Sequence, residues 1–210
     1  MPYFDIPKCK FFIRDEVVIH NKPHDFWIII HGNVLDLTSF IISKLRNNTW
    51  NITMNYLLAF GGKDLSKYFH KNLLPKTEIS INTGQPRVLF PPITESITGK
   101  SHKIWSIDSK YHIGKITIME RSIRIINTLT GKIHCIVVCE EDKIYDIMKK
   151  YKKYNSHCGS YIWRKNSKNC SISGRLNLNF TLTENGILPE KHDIKPPSIW
   201  LFYSDDLTEG

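Results

Sequence analysis

Four groups of residues in this 210-residue chain have the types and spacing that could do chemistry. His157 and Cys158 are adjacent, and an imidazole beside a thiol is the starting material of nucleophilic catalysis. Such a pair also needs a third group to orient the base and a glycine loop to hold an oxyanion. Neither is apparent, and neighbours in sequence need not meet, so no catalytic residues are assigned. The five cysteines (9, 135, 139, 158 and 170) contain no Cys-x-x-Cys. They therefore indicate neither a zinc site nor a disulfide framework, and they are read as free, mostly buried thiols. Gly61-Gly62 lacks the surroundings of a phosphate-cradling loop and is read as a bend between helices. Lys149, Lys150, Lys152 and Lys153 concentrate positive charge that could meet an acidic protein surface, and they are the candidate partner-binding residues.

These residues need elements to hold them. Arg14 to Asn21 reads as a short helix that buries Val17 and Val18 and ends before Pro23. Phe26 to Ile30 is a buried strand by its run of aromatic and β-branched residues. His31-Gly32-Asn33 turns the chain, Val34 to Leu37 returns as a strand, and Thr38 or Ser39 caps the next helix. After Pro91-Pro92 the chain becomes rich in Ser, Thr, Gly and Lys, so residues 91–120 read as a connector pinned onto one of the domains by Trp105 and Tyr111.

Beyond the connector the pattern sharpens. Ser122 to Thr128 and Ile133 to Cys139 form a hairpin around Gly131. Glu140, Glu141 and Asp142 then sit where a helix dipole favours carboxylates. The helix that follows carries Ile144, Ile147, Met148 and Tyr151 on one face. Strands are expected at 160–164, around 176–181 and at 198–203. A hairpin, an amphipathic helix and further strands are the element order of a β-grasp.

Composition sets outer limits. The apolar share of 41% and the charged share of 23% are ordinary globular values. No run of about twenty apolar residues exists to span a membrane, and the N-terminus lacks the pattern of a signal peptide, so a cytosolic compartment is expected. The formal charge of +9 is spread along the chain instead of forming a basic tail, and neither nucleic acid nor membrane is expected as a partner.

The first part of the chain resembles the cytochrome b5 family. The matching residues are Phe12, Val17-Val18, His20-Asn21, Trp27, Gly32, Val34, Asp36-Leu37-Thr38, Phe40, and Ala59 to Asp64 leading to Phe69. The resemblance implies a domain in which two histidines on opposing loops clamp a haem. The corresponding positions here are Lys44 and Leu74, and the nearest substitutes are His70, one residue after Phe69, and Met54. No cofactor or metal is therefore expected, and haem on substitute ligands is the alternative.

The second part resembles ubiquitin-like folds, including the turn Thr128-Leu129-Thr130-Gly131-Lys132. The chain ends SDDLTEG, without the Gly-Gly pair that conjugation requires. The expected architecture is α+β: a cytochrome b5-like domain at 8–90, the connector at 91–120, and a ubiquitin-like β-grasp at 121–206. RSIRIINTLT from Arg121, YNSH from Tyr154, FTLTENGI from Phe180 and the closing DDLTE from Asp205 join the two halves into one pattern. It closely resembles a ciliary family of cytochrome b5 domain-containing proteins whose members are components of the radial spoke stalk of the axoneme. That resemblance implies a non-enzymatic scaffold of the axonemal cytoskeleton that supports ciliary motility, with radial spoke and other axonemal proteins as partners. The alternatives are a haem-binding redox sensor or electron carrier, and a ubiquitin-like adaptor.

Overall fold

A computed structural model describes residues 10–46, 52–90, 105–166, 172–189 and 195–203. The chain divides into two units, one ending at Ile116 and the other beginning at Thr117. DDLTE from Asp205 and half of the connector lie outside the described residues, as do Cys9 and Cys170.

In chain order the first unit contains β1 (Phe11–Phe12), α1 (Arg14–Val18), β2 (Asn21–Lys22), β3 (Asp25–Ile30), β4 (Asn33–Asp36), α2 (Thr38–Arg46), α3 (Ile52–Leu58), β5 (Thr77–Ile79), β6 (Pro86–Val88) and β7 (His112–Ile116). Its main sheet has the order β1-β7-β4-β3-β2. β3 is apolar on both faces because both are covered. Phe26, Ile28 and Ile30 enter one core cluster, while Ile29 enters a second with Phe12, Val17 and Val34. His31 and Gly32 form the two-residue turn between β3 and β4, with φ of 48° and 76°. A type I′ turn needs positive φ at both central positions.

Three expectations change here. Val17 is buried but Val18 is 52% exposed, since α1 has only five residues and consecutive side chains point about 100° apart. Thr38 is already helical, and its hydroxyl accepts from the Phe26 amide instead of capping α2; the Asp36 carboxylate accepts from the Thr38 amide. The last part of the expected connector is β7, lying between β1 and β4. Its Gly114, which suggests a loop, is what lets the strand form. A Cβ there would stand 2.2 Å from the Lys10 carbonyl oxygen and 2.7 Å from the Phe12 ring. Glycine within a strand marks such close approaches.

The second unit contains β8 (Glu120–Asn127), β9 (Ile133–Cys139), α4 (Ile144–Tyr151), β10 (Tyr161–Asn166), β11 (Ile172–Arg175) and β12 (Ser198–Tyr203). The sheet order is β11-β10-β12-β8-β9, with β12 parallel to β8 and the other pairs antiparallel. α4 buries the four residues of its apolar face against Ile123, Ile125, Ile136, Val138, Trp163, Ile199 and Leu201.

Residues 176–181 are not a strand. They form a loop whose Phe180 and Leu178 carbonyls accept from the Ile144 and Tyr145 amides, satisfying donors at the start of α4 that have no partner within the helix. Glu140, Glu141 and Asp142 precede the helix, and each is tied elsewhere. Glu140 pairs with Arg121, Glu141 accepts from the Ile118 amide, and Asp142 pairs with Lys150.

Candidate functional site

The site to examine is the interior of the first unit between α2 and the loop after Phe69, because the two positions at which the resemblance places histidines lie there. Lys44, near the end of α2, holds its ammonium 5.5 Å from the Phe40 ring centroid, and burial lowers its pKa. Leu74 lies in a tight turn after Leu73, which has a φ of 64°. Its carbonyl accepts from the His70 amide at 2.8 Å, and its side chain is 38% exposed. His70 is exposed, whereas Met54 on α3 is buried in the main core cluster.

Residues from the expected connector bridge α2 and the Phe69 loop. Trp105 packs its ring 6.4 Å from Phe40 and 5.8 Å from Phe69. Tyr111 lies edge-on to Phe40 at 6.2 Å. The Ser106 hydroxyl donates to the Leu73 carbonyl at 2.7 Å, next to Leu74. Phe90 packs edge-on to Phe60 and tilted against Tyr68 and Phe69, with centroid distances of 5.2, 5.1 and 6.3 Å. Aromatic packing within the protein thus links the elements that carry Lys44 and Leu74.

The bis-histidine clamp that the resemblance implies requires two strong donors facing each other across such a space. The described histidines of this unit do not supply them. His24 and His70 are exposed. His20 meets Asp25 at 2.6 Å and stacks on Trp27 at 3.5 Å. His31 and His112 engage the carbonyls of Phe69 and Ser106, each at 3.0 Å. His31 therefore reaches from its turn towards the Phe69 loop. Met54 is the one substitute candidate that enters the core. The described residues do not fit bis-histidine ligation, and no group of three or more His, Cys, Asp or Glu among them could hold a metal ion.

A polar network fixes the loop before Phe69. Asp64 Oδ1 accepts from the Ser66 amide at 2.9 Å and also from the Ser66 hydroxyl, while Oδ2 lies 3.3 Å from Arg14. The Ser66 hydroxyl in turn accepts from the His31 amide at 2.7 Å. Burial raises the Asp64 pKa, but the Ser66 bonds and Arg14 outweigh it and hold the carboxyl below its usual value. A depressed carboxyl contributes stability that is present above its unfolded-state pKa and is lost as pH falls through the folded value. Because Asp64 and Arg14 are partly exposed and solvent screens them, Asp64→Asn is expected to cost less than about 1 kcal/mol at pH 7. The difference from the parent should shrink steadily in acid, below about pH 4. Urea melts at several pH values measure this, and a cost that does not change with pH would refute the ionic role.

In the second unit the chemistry-bearing residues separate. The Cys158 thiol is buried and donates to the Met148 carbonyl at 3.4 Å, and burial raises its pKa, which keeps it a thiol. His157 is exposed, so the two form no dyad. The lysine group divides as well. Lys150 pairs with Asp142 at 2.9 Å and lies 3.5 Å from Cys139, while Lys149 pairs with Asp146 at 3.6 Å. Lys152 and Lys153 are exposed.

One residue carries more than its sequence context suggests. Arg121 is 4% exposed, and it donates to Glu140 and Thr183 at 3.1 Å each and to the Ile187 carbonyl at 2.8 Å. It joins β8 to the turn that contains Thr183. The available signal was the presence of RSIRIINTLT and FTLTENGI in one chain, which marks both segments without showing that they meet.

The sequence model of the cytochrome b5-like heme/steroid binding domain matches residues 14–117, a span that includes β7. A human protein named cytochrome b5 domain-containing protein 1 is 34% identical, over 95% of this chain and 92% of its own length. The protein of the same name from Xenopus laevis is 33% identical, over 95% of this chain and 97% of its own. Among solved structures, a designed protein based on ubiquitin covers 43% of this chain and 96% of its own at 19% identity. Its TM-score of 0.30 gives that likeness no weight.

Proposed function

Since the chain belongs to the family of cytochrome b5 domain-containing protein 1, we propose that it is a non-enzymatic structural subunit of the ciliary axoneme, in the radial spoke stalk, acting through protein–protein contacts. The observation that carries the structural half of this reading is the aromatic bridge of Trp105, Ser106 and Tyr111 across the former cofactor site. A domain that fills that site with its own side chains keeps a rigid framework and presents its surface to partners. The ciliary half rests on the resemblance that runs through both units. The second unit is read as a ubiquitin-like β-grasp serving as a binding module, because β12 lies between β8 and β10 and parallel to β8.

A tagged full-length protein should therefore concentrate along the axoneme of motile cilia and be lost from it when spoke proteins are removed. A diffuse cytosolic signal, indifferent to that removal, would overturn the proposal.

The haem-dependent redox reading has one observation in its favour, the burial of Met54 in the same core. Purified protein mixed with haemin, oxidised and then reduced, tests it. The scaffold reading expects a spectrum like that of free haemin. A sharpened Soret band that disappears in His70→Ala would favour the redox sensor instead.

A further inference from the structure

The second unit contains an open cleft of about 180 Å³ between the β8–β9 turn, the end of α4 and the start of β10. We infer that this cleft binds the carboxylate of an acidic segment on a partner protein, an inference that rests on the scaffold reading. Lys132, His134, Tyr151, Tyr154, Asn155 and Tyr161 supply its walls, and none of the described residues that line it is acidic. Lys132 is exposed and takes part in no ion pair among the described residues, unlike Lys149 and Lys150.

The ring of His134 is held in place. Its Nδ1 lies 3.1 Å from the Tyr151 hydroxyl, and its face lies 4.8 Å from the Tyr154 ring. Lys153 stands 5.1 Å from the Tyr154 centroid, adding positive charge at the rim. The end of α4 does not oppose an anion strongly, because the Tyr151 carbonyl already accepts from the amides of Tyr154 and Asn155. Unpaired cation, oriented imidazole and neutral hydroxyl and amide groups together favour an anionic guest.

The shape narrows the class of that guest. A nucleic-acid backbone needs a track of cations along a groove. Among the described residues the lining offers one lysine, with no row of cations leading away from it. A phosphate site commonly uses the fork of an arginine. None of the described residues that line this cleft is an arginine. A single carboxylate, presented by a Glu- or Asp-rich segment, matches the arrangement better than either.

The test uses the full-length chain and a fluorescent hexaglutamate peptide, followed by anisotropy. Saturable binding that weakens with added salt is expected. Lys132→Glu and Tyr154→Ala should each weaken it at least about tenfold, while Lys71→Glu, an exposed lysine of the first unit, should not. Circular dichroism melts confirm that each variant is folded. Equal loss in Lys71→Glu, or no loss in Lys132→Glu, would overturn the site. Displacement of the peptide by inorganic phosphate as readily as by free glutamate peptide would make it a phosphate site instead. A large gain in affinity when Asp205, Asp206 and Glu209 are changed to their amides would mean that the chain's own acidic end competes for the cleft, which also overturns a partner in trans. Peptide binding by purified protein is independent of where the tagged protein goes in the cell, so failure here is distinguishable from failure of the axonemal assignment.

Discussion

Trp105→Ala is expected to lower the melting temperature of the first unit by about 12 °C or more. The side chain is 3% exposed and packs on Phe40 and Phe69, so its removal opens a cavity where α2 and the Phe69 loop are bridged. A buried tryptophan cut to alanine costs about 3–5 kcal/mol, and a domain of this size loses at least about 4 °C for each kcal/mol. The contrast with Trp105→Phe isolates the cause. The indole Nε1 is buried without a hydrogen-bond partner among the described residues, a defect that costs about 1–3 kcal/mol in general. Phenylalanine removes that orphan donor while keeping much of the packing, so its effect should be less than half that of alanine. Thermal melts of the three proteins decide the matter. An alanine variant within about 4 °C of the parent would mean that residues 105–111 do not bridge α2 and the Phe69 loop, and the structural support for the scaffold reading would fall.

Arg121→Ala should be nearly as damaging to the second unit, at about 3–5 kcal/mol. The loss is not a single ion pair. Removing the guanidinium leaves Glu140 without its cation and deprives the Ile187 carbonyl and the Thr183 hydroxyl of a donor. The Glu140 side chain is 25% exposed and can recruit some water, which places the expected value towards the lower end. A paired change, Arg121→Met with Glu140→Gln, should recover part of the loss because it leaves no uncompensated charge. Urea denaturation measures all of these, and a double variant no better than Arg121→Met alone would exclude charge burial as the cause.

Much of the framework was legible in the residues. The apolar face of α4, the run from Phe26 to Ile30 and the β8–β9 hairpin each depend on periodicity and turn chemistry, which are local. The α+β composition followed from those elements. The family resemblance then identified Lys44 and Leu74 as the positions to examine, something periodicity alone could not do.

What escaped was decided by contacts between distant segments. HIGKI looks like loop because of Gly114, yet that glycine is required by the nearby Lys10 carbonyl and Phe12 ring. The stretch 176–181 looks like strand because its side chains alternate, yet its carbonyls are committed to the first amides of α4. Arg121 and Lys150 look like surface cations, and their carboxylate partners Glu140 and Asp142 look like helix-start residues. Cleft residues Lys132, His134, Tyr154 and Tyr161 come from three separate elements or their ends, and no spacing rule links them.

The sequence by itself determined that neither position at which the resemblance places a histidine carries one, because the side-chain chemistry of Lys44 and Leu74 is fixed wherever they stand. Only the tertiary structure decided what stands between them. Trp105, Ser106 and Tyr111 lie more than thirty residues beyond Leu73 or Phe69, and their placement depends on β7 entering the sheet after them. Burial of three aromatic or polar groups at a shared point is a property of the closed chain, since each contact exists only when both distant partners are held in place.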